Sequence, residues 1–135
     1  MKPYGILAAA FIVALTPALL GAGGQSSASG GANDFNAYCA SCHGSAAKGD
    51  GPIANSFRKH PADLTKLAAR NNGVYPSDMV FKTIDGKALV SGHGGPDMPT
   101  WGDVFIKSSE SATPDAVKIR IDSLVKYLET LQDKK

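Results

Sequence analysis

The 135-residue chain is poor in the residues that carry most site chemistry: two cysteines, three histidines and one tryptophan. No segment alternates apolar and polar residues convincingly, so no strand is expected. Lysine and arginine exceed the acids by two, and no basic run interleaves with aromatics, which argues against nucleic acid as a partner. There is no internal repeat. The one long apolar run lies at the N-terminal end, and no cysteine follows it, which excludes a bacterial lipoprotein.

That run has an address-like form. Lys2 precedes an apolar stretch from Tyr4 to Leu20, and small residues follow from Gly21 to Gly31. A basic start, an apolar core and small residues after it make a secretory signal peptide. Pro17 and a length short of the ~20 residues of a membrane span favour cleavage. The alternative is an uncleaved anchor, the one case in which membrane contact is expected. Cleavage after Gly24 or Ala28 fits the small residues there. Residues 1–24 are thus read as signal, 25–31 as a flexible Gly/Ser leader and 32–135 as one domain. The expected location is the periplasm. Without residues 1–24 the chain carries 13 basic and 12 acidic residues, close to neutral.

Both cysteines fall in Cys39-Ala40-Ser41-Cys42-His43. Two thiols separated by two residues suit addition across the two vinyl groups of a haem, and a histidine directly after the second is carried under the iron. This is the haem c attachment pattern, with His43 as the proximal ligand. A C-x-x-C also occurs in thioredoxin-like sites and zinc half-sites. The first needs a βαβ context that is missing here. The second needs two further closely spaced ligands, and His60 and His93 are isolated. A plain disulfide would leave His43 without a role. A buried haem would also add a large apolar surface to the core of a small domain.

The remaining pattern is helical. Asn33 or Asp34 can cap a short helix running through Phe35 and Tyr38 into the cysteine motif. Gly44 to Pro61 reads as loop, Ala62 to Arg70 as helix, and Ser77 to Asp85 as a second helix stopped by Gly86. Val90 to Gly102 is dense in glycine and holds Pro96 and Pro99, so it reads as irregular. The last helix is the clearest: Thr113 caps it, Pro114 opens it, and Val117, Ile121, Leu124, Val125, Leu128 and Leu131 make one stripe. The fold class is all-α.

A second iron ligand decides between electron transfer and chemistry on a bound molecule. Met98, in Asp97-Met98-Pro99-Thr100-Trp101-Gly102, is the first candidate. The prolines stiffen its loop, and a thioether is a soft ligand that raises the reduction potential. The plain alternative is a gap-filling core methionine. The competing ligands are Met79, better placed in the core of its helix, and His93. His60, before Pro61, reads as a surface histidine.

In the order of these motifs the chain resembles the class I c-type cytochromes of the small bacterial periplasmic kind, over roughly residues 31–131. The resemblance rests on Phe35 in the first helix, Cys39-Ala40-Ser41-Cys42-His43, Gly49-Asp50-Gly51-Pro52, Met98-Pro99 with Trp101-Gly102, and Tyr127 in the last helix. It implies a cytochrome c fold of three to five helices around one haem c held through Cys39 and Cys42, with His43 and Met98 on the iron. It implies that the Pro52 carbonyl orients the His43 ring, that Trp101 lies near the haem propionates, and that Phe35 and Tyr127 pack where the first and last helices cross, close to Gly31 or Ala32. The stretches from His60 to Met79 and from Lys107 to Thr113 match no subgroup.

The expected function is single-electron transfer between periplasmic or membrane redox enzymes, by a monomer that is not itself an enzyme. Redox proteins would be its partners. Lys48, Arg58, Lys59, Lys82 and Lys87 are candidates for a docking rim, or simply solvated charges. The alternatives are an electron-accepting subunit of a dehydrogenase or oxidase complex and, further off, a haem enzyme or sensor with a labile sixth ligand.

Overall fold

The computed structural model of the protein describes residues 28–88, 98–108 and 112–133. The segment read as signal, the start of the segment read as leader, and His93 lie outside the described residues. Among those described the architecture is all-helical, with no strand.

The organising element is α6, Pro114–Thr130. It starts as its sequence dictates: the Thr113 hydroxyl accepts the Ala116 N–H at 3.2 Å, and Pro114 needs no partner in the first turn. Val117, Ile121, Leu124, Val125 and Leu128 turn one face inward and are buried. Each contributes about 1.5–3 kcal/mol by leaving water.

Against this face crosses α1, Ala28–Asp34. The contact is backbone on backbone. A Cβ on Gly31 would sit 2.0 Å from the Ser123 carbonyl oxygen, so only glycine allows the helices this close. One turn on, Phe35 is fully buried with its ring centroid 5.5 Å from that of Tyr127. The Phe35–Tyr127 packing beside Gly31 is as the sequence suggests, but the reading of residues 25–31 as leader needs correction. The helix already includes Ala28 to Gly31, because tertiary packing outweighs the poor intrinsic propensity of Ser29-Gly30-Gly31. Nor is Asp34 a cap: it lies inside the helical path and binds Arg120.

From α1 the chain continues as a π-helical stretch, Phe35–Cys39, into α2, Ala40–His43. Leu64–Lys66 forms a 3-10 turn leading into α3, Leu67–Arg70. The regular structure thus begins two residues later than Ala62, since Asp63 is the capping residue: its carboxylate accepts the Thr65 N–H at 2.9 Å and the Thr65 hydroxyl at 2.6 Å. Partial burial pushes Asp63 up, but the two Thr65 bonds, with Lys66 and Arg70 nearby, hold it below its usual value. Helix α4, Ser77–Asp85, keeps its expected bounds, buries Val80 and Ile84, and stops at Gly86.

A further helix, α5, Trp101–Lys107, begins inside the stretch read as irregular and runs through residues 103–106, for which the sequence pattern predicts no element. Its first turn holds Gly102, and a Cβ there would lie 2.3 Å from an Asp85 carboxylate oxygen. The glycine that argues against a helix is what lets α5 start against the end of α4. Phe105 then anchors α5 in the core at 2% exposure.

Candidate cofactor-attachment site

Cys39 ends the π-helical stretch, and Cys42 and His43 close α2. Three residues apart on a helical path, the two thiols fall on one side of it. Both are half-buried and unbridged. Burial pushes the Cys39 thiol up to about 12, with the charges of Asp34 and Cys42 adding to it. A thioredoxin-like attacking cysteine shows the opposite shift.

His43 is buried at 7% exposure. Its Nδ1 lies 3.0 Å from the Ala62 carbonyl oxygen, 19 residues away in sequence. A carbonyl only accepts, so Nδ1 carries the proton, and in the neutral ring Nε2 carries the lone pair. A metal-binding imidazole is commonly oriented in this way by its second nitrogen.

The intervening loop brings Ala62 there. The Gly49 N–H donates to the His43 carbonyl at 2.8 Å, Gly51 to Cys42 at 3.1 Å and Ile53 to Ser41 at 3.1 Å. These bonds occupy carbonyls that the end of α2 leaves open. The chain turns back, and the Leu64 N–H donates to the carbonyl of buried Ala47 at 2.8 Å. At Gly49, with φ of +83°, a Cβ would stand 2.3 Å from the Pro61 carbonyl oxygen. The strand of backbone at 61–62 therefore runs directly over the loop.

This corrects the role implied for Pro52. With its neighbours Gly51 and Ile53 bonded back to α2, Pro52 sits exposed on the turn, and Ala62 provides the carbonyl for His43. Gln132, past the end of α6, fixes the same segment from the other side. Its amide nitrogen donates to Leu64 and Leu128 carbonyls, and its oxygen accepts from the Ala68 N–H, all at 2.8 Å.

Met98 is half-buried, three residues before α5. Trp101 is also half-buried and packs edge-on to Tyr38 at 5.6 Å, while touching Phe105 at 5.6 Å. Tyr38 directly precedes Cys39, so the Trp101 contact brings the segment bearing Met98 to the helix bearing the thiols. Met79 is 52% exposed, not in the core: Val80 and Ile84, one turn apart, take the inward face of α4. His60 is exposed, as are Lys48, Arg58, Lys59, Lys82 and Lys87, the last paired with Asp85 at 2.6 Å.

Among the described residues no group of three or more His, Cys, Asp or Glu side chains gathers to hold a metal ion. No helix among them is long and apolar enough to cross a membrane. Ala62, Arg120 and Gln132 are supports of the site that the sequence did not single out, and Asp34 is a fourth, read there only as a cap. All four act through a backbone carbonyl or a contact 64 or more residues away, for which linear sequence holds no local signal. No family model, no curated protein and no solved structure matches the chain.

Proposed function

We propose that the protein is a single-electron carrier of the cytochrome c type, in which Cys39 and Cys42 would hold one haem c through thioethers and His43 and Met98 would bind its iron. The observation that carries this reading is the state of His43. It directly follows the second thiol, is buried, and has Nδ1 tied to a fixed carbonyl, which makes Nε2 the lone-pair nitrogen of the neutral ring. A histidine serving only the core would satisfy its polar atoms equally well, but it would not explain two unbridged thiols one helical turn apart on the preceding residues.

When bound, the haem would supply an iron that passes between ferrous and ferric states. The chain does the rest. Cys39 and Cys42 hold the group, the Ala62 carbonyl fixes the ring plane of His43, and Met98 provides a soft thioether that favours the reduced state. Ligation by His43 and Met98 in both states would keep reorganisation small. Redox partners would deliver and accept the electron, with no proton transfer asked of any side chain. Export to the periplasm through residues 1–24, and the packing of these helices as a cytochrome c fold, belong to the same proposal.

Absorption spectra of the purified protein, oxidised and reduced, test it. A haem c spectrum with the weak far-red thioether-to-iron band is expected, lost in Met98→Ala and kept in Met79→Ala. A haem c spectrum without that band would return the sixth position to another group and reopen the enzyme or sensor reading.

A further inference from the structure

Arg120 lies on α6, among residues whose role is to pack against α1, yet it engages a carboxylate and two aromatic rings at once. Its Nε donates to Asp34 Oδ2 and its Nη2 to Asp34 Oδ1, both at 2.7 Å. This two-point fork fixes the plane of the guanidinium and not only its position. The same group lies 4.0 Å from the centroid of the Phe105 ring and 5.0 Å from that of Tyr38, within the range of attraction between a cation and an aromatic face. Tyr38, Phe105 and Trp101 touch one another with centroids 5.5–5.6 Å apart.

The placement of these rings matters more than their number. Tyr38 adjoins Cys39, and Trp101 follows Met98 by three residues. Between Met98 and α5 stand only Pro99, which has no N–H to donate, and Thr100, whose hydroxyl is turned to Asp103 at 3.2 Å. The seat of Trp101 on Phe105 and Tyr38 is thus one anchor of the Met98 segment, beside the close packing of Thr100 on Gly86 and of Gly102 on Asp85, and Arg120 lies against both Phe105 and Tyr38.

We propose that Arg120 is a positioning residue that sets how firmly Met98 occupies its place as a ligand, by clamping α5 to the thiol-bearing helix through Asp34, Tyr38 and Phe105. This rests on the His43/Met98 reading above. A ligand on a well-anchored segment is rarely displaced. Loosening the anchor raises the fraction of time in which its place is open, and the apparent affinity of an external competitor rises in proportion to that fraction.

Imidazole titration of the oxidised holoprotein, followed by loss of the thioether-to-iron band, reads that fraction. Arg120→Gln is expected to bind imidazole about tenfold more tightly than the parent, and Arg120→Lys, which keeps the charge but not the fork, about threefold more tightly. Leu128→Ala, which opens the α6 core at another turn, should lower the unfolding midpoint without changing imidazole affinity. If Arg120→Gln cannot be purified, the comparison of Arg120→Lys with Leu128→Ala carries the test. Unchanged affinity in the Arg120 variants, or an equal change in Leu128→Ala, would overturn the role of Arg120 while leaving the ligand assignment standing. Absence of the thioether band from the parent would instead overturn the ligand assignment, and this role with it.

Discussion

His43 Nδ1 and the Ala62 carbonyl oxygen stand 3.0 Å apart, across a loop that spends its own N–H groups on the end of the preceding helix. The contact joins two otherwise separate features. One is the residue that completes a C-x-x-C-H motif, and the other is a backbone carbonyl whose position depends on a glycine with positive φ. Their union makes the ring's orientation a property of the loop.

Gly49→Ala tests that dependence. Its φ of +83° is costly for any side chain, and the added Cβ would meet the Pro61 carbonyl at 2.3 Å. A loss of about 2–3 kcal/mol is expected, combining backbone strain with displaced packing. Denaturant unfolding of the holoprotein measures it. An effect below about 0.5 kcal/mol would show that the 61–62 backbone is free to move away.

Gly31→Ala separates helix propensity from helix packing. Alanine is better than glycine inside an exposed helix by about 1 kcal/mol. Here its methyl group would lie 2.0 Å from the Ser123 oxygen, so the helices must part. A net loss of about 2–3 kcal/mol is expected by urea unfolding, and a gain in stability would contradict the close crossing.

Much of this scaffold could be read from the chain. Thr113, Pro114 and the stripe on α6 are local signals, and Ser77 to Gly86 carries its own stop, so α4 appears with the bounds expected and α6 with the start expected, although Leu131 of the stripe is its C-cap. Where reading failed, the determinant was a partner distant in sequence. Ser29-Gly30-Gly31 has the composition of a linker and becomes helix because α6 accepts a bare backbone. Gly102 looks like a breaker and is the residue that fits α5 against Asp85. The thiols and His43 were legible as a motif, whereas the carbonyl holding His43 carries no side-chain signature, and Pro52 was the wrong choice.

Tyr75 provides a pH-dependent test of the packing between the 71–76 loop and α6. Its hydroxyl donates to the Val125 carbonyl at 3.0 Å, and burial, with Glu129 nearby, raises its pKa above the ordinary value of 10.0. The folded protein therefore keeps the phenol proton at a pH where the unfolded chain has lost it. The stabilisation is complete below pH 10 and declines as pH rises past it. Tyr75→Phe should cost about 1 kcal/mol at neutral pH. The gap from the parent should narrow in unfolding curves recorded above about pH 10.5. A gap constant through that range would mean that the hydroxyl is not held as described.

The central claim is covalent attachment of haem through Cys39 and Cys42, and intact mass after acid–acetone extraction tests it most directly. The protein is to be purified after expression with a haem-attachment system, together with Cys39→Ala, Cys42→Ala and the double variant. The parent should retain the mass of one haem after extraction, each single variant should show impaired attachment, and the double variant should retain none. A parent chain that emerges at its bare polypeptide mass, with both thiols free or joined to each other, would contradict the account.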